Sequence, residues 1–534
     1  MDRRRVIRSL ASCTALVVLL AACGGDDSDD GSSARAPAAE PAGNAPDAGS
    51  DEVDPGGVLR LAAVLDAGAL NFDPAHAENS TQEIMHALYS NLLIDTGAGL
   101  EPGLADGVAV VDARTLRVDL RPGLVFSDGT PLDAEAVKFN LERTLEISDR
   151  TVGFRLTELE ALDHVEVVDD LTALLHLSEP IAGHFMILLA GTETFLASPT
   201  AIRSGQDMST QPVGAGPFLL EAAHVERSVT MVKSDTYWAA DQVRLAGVEF
   251  THSPGVQTTQ TALLGGRIDW GNVNSAVSGG LTDPLVVENI PHPAMLVLLM
   301  CKSNPPLSDV RVREALSLAT DREALAKALY AGQVEPAWSF GPEGSPRENP
   351  ELRGKHARDV VRARALLAEA GYPDGFALDM MASAGNTVGQ EVLQDQWAEV
   401  GVDINIITSP NTLQDFWVDG KAPTLPVTLT RGYLDALTIM LMPGAFSNVC
   451  EYRSPDIERT LSEALAFEAG SDEHDQAWRT LAALVHEELP FLPLTFHLQV
   501  VAYNSERVGG LRYIHENRGN VIVDYHGTFI KQDS

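Results

Sequence analysis

Apolar residues recur along the chain at two spacings, one typical of strands and the other of helices. The segment 116–120 alternates apolar and polar residues, as a half-buried strand does. Val137, Leu141 and Leu145 are four residues apart and therefore lie on one face of a helix. Segments of the two kinds follow one another from Val58 to the C-terminus, so the pattern predicts an α/β fold.

Three mostly apolar runs predict strands that are buried on both faces. The first is 58–64, where we expect the folded body to begin. The second is 296–300, which contains no polar residue. The third, 491–501, follows a helix that Pro490 ends.

Several helices are predicted to begin at capping residues. Asp133, Ser308 and Ser454 each precede an apolar stripe and are expected to be N-caps. Thr320 and Glu323 have the spacing of a capping box. These starts divide the apolar pattern into separate helices.

The segment 212–218, PVGAGPF, is rich in residues that determine backbone shape. Gly214 and Gly216 adopt positive φ readily, and Pro217 fixes its own φ. A phosphate-binding loop needs a following lysine and a helix, and neither is present. We interpret the segment as a tight turn that lets two parts of the chain pass closely.

The N-terminus has the pattern of a secretory signal. Four arginines among the first eight residues precede an uncharged apolar run, 10–20, which is shorter than the roughly 20 residues of a membrane span. The tetrapeptide LAAC at 20–23 resembles the bacterial lipobox, in which cleavage precedes a cysteine that carries lipid. We therefore expect residues 1–22 to be a signal peptide and Cys23 to be a lipid anchor. The alternative is an ordinary secreted protein with an accidental cysteine.

Residues 23–57 have a different composition from the rest of the chain. Gly, Ser, Ala, Pro, Asp and Glu dominate, and large apolar residues are nearly missing. Such a segment buries too little surface to offset its chain entropy. We expect an acidic, disordered tether between the anchor and the folded body.

The charge of the chain restricts its partners. Its formal net charge is −37, which repels phosphate backbones and anionic lipid alike. Nucleic-acid binding is therefore excluded, and membrane attachment has to come from the anchor. Hydrophobic residues make up 45% of the chain, which is ample for a packed core.

Motifs for catalysis, metals and cofactors are missing from the sequence. There is no Gly-x-Ser-x-Gly elbow and no Walker loop. His486 is followed by two glutamates but lacks the second histidine of a zinc protease. The remaining histidines are scattered, and His292, His497 and His515 are interpreted as core or surface residues. We expect no cofactor, no metal and no enzymatic activity.

Two cysteines remain after the signal and the anchor, Cys301 and Cys450. In an oxidising compartment they are able to form a disulfide. Spacing alone does not decide between a disulfide and two buried free thiols.

Five segments, in this order, resemble motifs of the family 5 extracellular solute-binding proteins, the peptide- and nickel-binding components of ABC importers. They are FSDGTPLDAEAVKFNLER at 126–143, PVGAGPF at 212–218 with DTYW at 235–238, LGGRID at 264–269, DVRVREAL at 309–316 continuing to Tyr330, and ALLAEAGYP at 365–373. Together they span most of the chain after the tether.

The resemblance implies a two-lobed, clamshell-like α/β fold of the periplasmic-binding-protein type II class. Lobe one is expected to comprise 58–95, 210–297 and 497–534, with an extra α/β domain inserted at 96–209. Lobe two is expected to comprise 298–496. Two strand-like crossovers, near 296–300 and 496–501, are expected to join the lobes.

The resemblance also implies a function without bond breaking. A peptide or other small polar solute is captured between the lobes, and the closed protein delivers it to the permease subunits of an ABC importer. We expect a monomer that is anchored by lipid outside the cytoplasm, in the periplasm or on the outer face of the cell membrane.

For the ligand site, the family layout points to residues at the lobe edges. Peptide-binding members have a segment near the pattern Asp-Tyr-x-Asp-Pro, whose first Asp pairs with the peptide amine. Here Gly432 replaces that first Asp and Ala436 replaces the Pro, which places a free peptide N-terminus in doubt. The expected ligand-binding residues are Asn79, Ser80, Trp270, Asn272, Trp338, Phe340, Tyr433 and Asp435. Core packing is the alternative for each tryptophan, and Trp417 is assigned to the core.

Two other functions remain open from the sequence. One is an extracellular hydrolase on an acidic α/β body. The other is a sensor or chaperone-like protein that uses the same two lobes. The ligand, its affinity, the cognate permease and the open or closed state are not encoded in any motif.

Overall fold

The computed structural model describes residues 52–65, 70–76, 81–96, 99–148, 159–341, 343–344, 348–383, 387–409, 411–429, 440–442, 448, 450, 452–467, 471–515 and 521–532. Within these ranges, no helix is both long and apolar enough to cross a lipid bilayer.

The described part of the chain forms strands whose bounds are as follows: β1 Val58–Ala63, β2 Leu93–Asp95, β3 Leu100–Pro102, β4 Ala105–Asp112, β5 Thr115–Leu120, β6 Leu162–Asp169, β7 Thr172–Leu177, β8 Phe218–His224, β9 Ser228–Lys233, β10 Gly247–His252, β11 Trp270–Val273, β12 Leu285–Met300, β13 Phe376–Ser383, β14 Val402–Ser409, β15 Thr424–Leu429, β16 Phe491–Asn504, β17 Val508–Gly509, β18 Arg512–His515, β19 Val521–Asp524 and β20 Phe529–Ile530.

The α-helices alternate with these strands: α1 Gln82–Leu88, α2 Ala134–Ser148, α3 Ala182–Leu188, α4 Pro199–Arg203, α5 Val256–Leu264, α6 Ser275–Ser278, α7 Pro305–Ser308, α8 Val310–Ala319, α9 Arg322–Tyr330, α10 Val360–Glu369, α11 Val388–Ala398, α12 Pro455–Ala466 and α13 Asp472–Glu488. The α/β class predicted from the hydrophobic pattern is confirmed.

One large sheet runs through the protein, with the strand order β14-β13-β15-β12-β16-β11-β1-β10-β9-β8. Its two long central strands, β12 and β16, pair antiparallel. One end of this pair is bordered by β15, which pairs with Met295–Met300 of β12. The other end is bordered by β11, which pairs with Val500–Tyr503 of β16. Each long strand therefore belongs to two groups of strands.

The β12–β16 ladder is interrupted where it passes from one group to the other. Leu285–His292 pair regularly with His497–Asn504, and the register then shifts between His292 and Met295. A second shift lies between Leu296 and Val297. Such bulges leave backbone groups unpaired and increase the local twist. The interruption thus marks a crossing between two lobes, at the edge of the crossovers predicted near 296–300 and 496–501.

Each lobe has its own core. The largest apolar cluster includes Leu59, Leu61 and Phe250 of the first lobe. Beyond the crossing, β12 places Met295, Val297 and Leu299 in one second-lobe cluster and the alternate residues 296, 298 and 300 in another. Because successive side chains of a strand point to opposite faces, this lobe's sheet is covered on both sides.

A separate four-stranded antiparallel sheet has the order β4-β5-β7-β6. Its inward residues, among them Leu116, Val118 and Leu175, belong to the same apolar cluster as the first lobe. The sheet lies inside the range 96–209 expected for an inserted domain. The exact bounds of that domain stay a prediction.

The LGGRID motif supplies an ion-pair centre for the first lobe. Asp269 has no exposed surface and accepts hydrogen bonds from Arg60 Nε at 2.9 Å and from Arg507 Nε at 2.8 Å. Its backbone carbonyl accepts from the Asn504 amide at 2.9 Å. A single carboxylate therefore links β1, β11 and the chain that leaves β16.

The glycines of PVGAGPF allow close passage, as the sequence predicted. A Cβ atom at Gly214 would lie 2.2 Å from the carbonyl oxygen of Leu88, and one at Gly216 would lie 2.6 Å from the same oxygen. The Gly216 amide instead donates to that oxygen at 3.0 Å. Backbone contact therefore explains both glycines, and neither is needed to bind an anion.

The second lobe contains two buried arginines from the DVRVREAL motif and its continuation. Arg313 donates from Nε to the carbonyl of Leu489, and Arg322 donates from Nε to that of Pro493. Burial lowers the pKa of Arg322 to about 9. The two guanidinium groups thus attach α8 and α9 to the start of β16.

Two predicted helix caps were wrong by one residue. Asp309, rather than Ser308, is the N-cap of α8, and its side chain accepts from the Arg311 amide at 2.9 Å. Asp321, rather than Thr320, caps α9 and accepts from the Ala324 amide. The neighbouring residues are all good caps, so composition alone did not select the correct one. Ser454 caps α12 as predicted.

The predicted tether also ends earlier than expected. Val53 forms a β-bridge with Lys531, and the Asp54 amide donates to the carbonyl of Ile530 at 2.9 Å. The folded body therefore includes residues 52–57. Backbone hydrogen bonds, rather than apolar side chains, hold this segment, so the hydrophobic pattern did not reveal it.

Cys301 and Cys450 form a disulfide, with their Cα atoms 4.5 Å apart. This resolves the two alternatives left by the sequence. The disulfide joins the residue after β12 to the chain that precedes α12, 149 positions away.

Replacing Asp269 by asparagine should destabilise the protein by at least about 2 kcal/mol. Loss of the charge leaves two arginines without their shared partner, although both still reach water. Urea unfolding should show a lower midpoint. Asp163→Asn, an exposed carboxylate on the small sheet, is the control and should change stability by about 0.5 kcal/mol or less. Equal stability of the two variants would contradict the assigned role of Asp269.

Reduction of the disulfide should lower stability by about 2–5 kcal/mol, because the long closed loop no longer restricts the unfolded chain. Thermal unfolding with and without reductant measures the change. Labelling of denatured, non-reduced protein should find neither Cys301 nor Cys450. Labelling of both would show that the disulfide is not formed.

Candidate ligand-binding site

Polar side chains gather where β11 ends beside the lobe crossing. Asn272 of β11 is half-buried, and its Oδ1 accepts from Gln499 Nε2 of β16 at 2.6 Å. The Gln499 side chain also accepts from the Val521 amide and donates to the Val521 carbonyl, at 2.6 and 2.8 Å. Gln499 is thus fixed by the C-terminal hairpin and in turn orients Asn272. Among the described residues, no hydrogen bond engages the side-chain nitrogen Nδ2 of Asn272. This donor is therefore available to a solute.

A carboxylate lies on the same face of the sheet. Glu288 of β12 and Asn272 of β11 are both paired with Val501 of β16, which lies between these two strands. Its oxygens accept hydrogen bonds from Tyr503 and Tyr513 hydroxyls at 3.1 and 2.6 Å. Burial and the neighbouring carboxylate raise the pKa of Tyr503 to about 12. The tyrosines therefore remain neutral donors to the Glu288 carboxylate.

The second lobe contributes the loop after α9. Pro336 forms a bridge with Thr495, and the Ala337 amide donates to Leu494 at 3.1 Å. This pairing holds the loop along β16 next to the crossing. The rings of Tyr330 and His497 meet edge to face, with centroids 5.7 Å apart. Polar and aromatic groups of both lobes therefore approach the crossing.

The predicted aromatic residues differ in their surroundings. Trp338 is half-buried, and the Arg322 guanidinium lies 4.7 Å from its ring centroid. Trp270 is fully buried in the first-lobe cluster. Phe340 is also buried, and it packs against Trp478 and Phe491. Burial favours core packing for Trp270 and Phe340, whereas Asn272 and Trp338 retain exposed surface near the crossing.

The other predicted residues lie outside the described residues. They are Asn79, Ser80, Tyr433, Asp435 and Cys23. Their roles stay predictions. Trp417, assigned to the core from the sequence, packs half-buried against the second-lobe cluster.

A buried basic cluster lies behind Trp338, and sequence analysis did not identify it. His356 and His486 have ring centroids 4.3 Å apart. Ser317 connects His356 to Arg322 through hydrogen bonds of 3.1 and 3.0 Å. Burial, with the nearby positive charges, lowers the pKa of His356 to about 4 and that of His486 to about 3. Both histidines are therefore neutral at pH 7. Their positions, 130 residues apart in sequence, gave no local signal.

A small pocket, partly open to solvent, lies elsewhere, in the first lobe. In its wall, the Tyr237 hydroxyl lies 2.8 Å from Nε2 of His526. The carboxylate of Asp524 lies 2.8 Å from Nδ1 of the same ring. These polar groups satisfy one another. The pocket is bordered by first-lobe residues, with Gly103 and Ala190 from segments next to the small sheet, so it is not the site between the lobes. In the described ranges, no group of three or more acidic, histidine or cysteine side chains is arranged to hold a metal ion.

Comparison with known families decides the class of this protein. Residues 99–446 match the family described as bacterial extracellular solute-binding proteins, family 5 Middle. The chain belongs to this family.

Individual family 5 proteins resemble the chain over most of its length. The glutathione-binding protein GsiB of Salmonella paratyphi A is 26% identical over 460 residues, covering 82% of this chain and 89% of the relative. The Helicobacter pylori protein DppA, solved with the peptide STSA, superposes with a TM-score of 0.73 at 20% identity, covering 89% of this chain and 98% of DppA. AgaA from A. tumefaciens R10, solved with agropinic acid, gives 0.73 at 21% identity, covering 90% and 99%.

Family 5 membership establishes the general function. The protein is an extracytoplasmic solute-binding protein, a class that is distinct from enzymes. Its fold is the two-lobed α/β fold of these binding proteins. The resemblance drawn from the five sequence motifs is confirmed.

Acid should destabilise this family 5 protein through the His356–His486 pair. The unfolded chain takes up protons at histidine near pH 6.5, whereas the folded protein keeps the pair neutral to about pH 4 and 3. The contribution of the pair to the free energy of unfolding is therefore fully present above about pH 6.5. Below that pH it falls by up to about 1.4 kcal/mol per pH unit for each histidine.

Urea unfolding at several pH values measures this slope. The double variant His356→Gln/His486→Gln should have a smaller slope between pH 6.5 and 4 than the parent. His164→Gln, which replaces an exposed histidine of the small sheet, is the control for the loss of an imidazole at the surface. An unchanged slope in the double variant would contradict the assignment.

Proposed function

We propose that the protein captures a peptide or another small polar solute in the cleft at the lobe crossing and delivers it to a membrane permease. The observation that carries this proposal is the crossing itself, where β12 and β16 pass between two separately packed lobes. Polar groups of the first lobe and aromatic groups of the second approach the same place. A solute that contacts both lobes binds their closed arrangement better and shifts the population toward it.

The ligand class follows from the available groups. Asn272 offers an amide donor, Glu288 a negative charge, and Trp338 an apolar wall. Pockets of this kind use a few polar groups for orientation and aromatic rings for contact area. The ligands of the relatives named above, glutathione, a tetrapeptide and agropinic acid, are all small and polar. Because Gly432 replaces the amine-binding carboxylate of peptide-binding members, we propose that a free peptide N-terminus is not required.

We also propose that the mature protein begins at Cys23, that the lipid on this cysteine anchors it outside the cytoplasm, and that it acts as a monomer. The support is the arginine-rich start, the short apolar run and the LAAC sequence at 20–23. Multiple acyl chains give a stable anchor even where a strongly acidic surface is repelled by anionic lipid.

The ligand proposal is tested with three probes: glutathione, the tetrapeptide Ser-Thr-Ser-Ala and its N-acetylated form. Calorimetry and thermal shift measure binding. If a peptide binds, acetylation should change its affinity less than threefold, since no carboxylate occupies the usual amine position. A loss of tenfold or more on acetylation would contradict that part of the proposal.

Tyr433 and Asp435 are proposed to contact the bound solute. Replacing both with alanine should weaken binding of the best probe at least tenfold, with little change in melting temperature. Asp163→Ala, which removes a carboxylate from the small sheet, is the matched control and should bind normally. Unchanged affinity in the double variant would remove both residues from the site.

A further inference from the structure

A second connection between the lobes lies away from the crossing strands. Ile181, which precedes α3, and Ile187, within α3, are half-buried and pack against the second-lobe cluster. Ile181 also packs against the first-lobe cluster. The partner element is α12, which α3 contacts directly. Ile181 therefore bridges the two clusters, and Ile187 adds a further contact to the second-lobe cluster.

The helix α3 is fixed to the first-lobe side. Phe185 and Leu188 are buried in the first-lobe cluster, at 0% and 3% exposure. The Ala182 amide donates to the carbonyl of Ala113, in the turn between β4 and β5, at 3.1 Å. The buried side of α3 thus packs on the small sheet, while two half-buried side chains face α12.

The helix α12 is fixed equally firmly to the second lobe. Ile457, Leu461 and Leu465 are buried in the cluster that contains Trp478 of α13. The contact of α12 with α13 is more extensive than its contact with α3, and α3 in turn is held by both β4 and β5. The interface between α3 and α12 joins two separately packed lobes, so it is the one that separates when one lobe rotates against the other.

We propose that the α3–α12 contact is an apolar latch for the closed lobe arrangement, and that Ile181 and Ile187 determine solute affinity without touching the solute. The inference rests on the lobe closure in the proposed function. Losing about 1.4 kcal/mol of apolar burial on opening, which is no more than one fully buried isoleucine side chain contributes, shifts the ratio of closed to open protein by roughly tenfold. Apparent affinity changes by the same factor when only the closed arrangement is binding-competent.

The latch is tested without any ligand, so the result does not depend on which solute binds. Spin labels are placed on exposed residues of the two lobes through Val232→Cys and Val361→Cys, which are 40% and 80% exposed. The background carries Cys13→Ser and Cys23→Ser, and the native disulfide is retained. Pulsed electron paramagnetic resonance then gives the distribution of interlobe distances.

Ile187→Ser should reduce the short-distance population about tenfold, and Ile187→Val should restore it. Ile202→Ser is the matched control, because Ile202 is half-buried and packs only against the first-lobe cluster. The control should keep the parent distribution. If Ile187→Ser does not fold, Ile187→Ala takes its place. A folded variant with the parent distribution would overturn the latch, and an equal change in Ile202→Ser would reduce it to a general loss of packing.

Discussion

The pairing of β12 with β16 is the constraint on which the rest of the structure depends. These strands form the centre of the large sheet, and each contributes to both lobes. A regular ladder would make the two lobes one rigid sheet. The register shifts between His292 and Met295, and again at Leu296, remove that regularity at a single place. A few residues can then absorb a rotation while the cores on either side stay packed.

Many residues of the family motifs support this arrangement instead of contacting a solute. Asp269 joins β1 and β11 to the chain beyond β16 through two arginines. Arg313 and Arg322 donate hydrogen bonds to backbone carbonyls at the other end of β16. The motifs thus hold both ends of the same crossing strand. A solute site beside the crossing can vary in its contacts without disturbing this frame.

The fold could be predicted from the sequence further than the site could. Alternating and four-residue patterns identified β5 and α2, because these periods report directly which face is buried. The apolar runs 296–300 and 491–501 identified the end of β12 and most of β16. The motif resemblance then supplied the lobes. Site residues were harder because a buried tryptophan and an exposed one have the same sequence signal. Trp270 proved to be packed in a core, whereas Trp338 keeps an exposed face beside Arg322. The His356–His486 contact depends on tertiary packing alone.

The central claim is that two rigid lobes close on a solute by rotating about the β12–β16 crossing. Small-angle X-ray scattering, before and after saturation with the solute that raises the melting temperature most, tests it most directly. The account predicts a smaller radius of gyration with the circular-dichroism spectrum unchanged. Identical scattering with and without a saturating solute would contradict it.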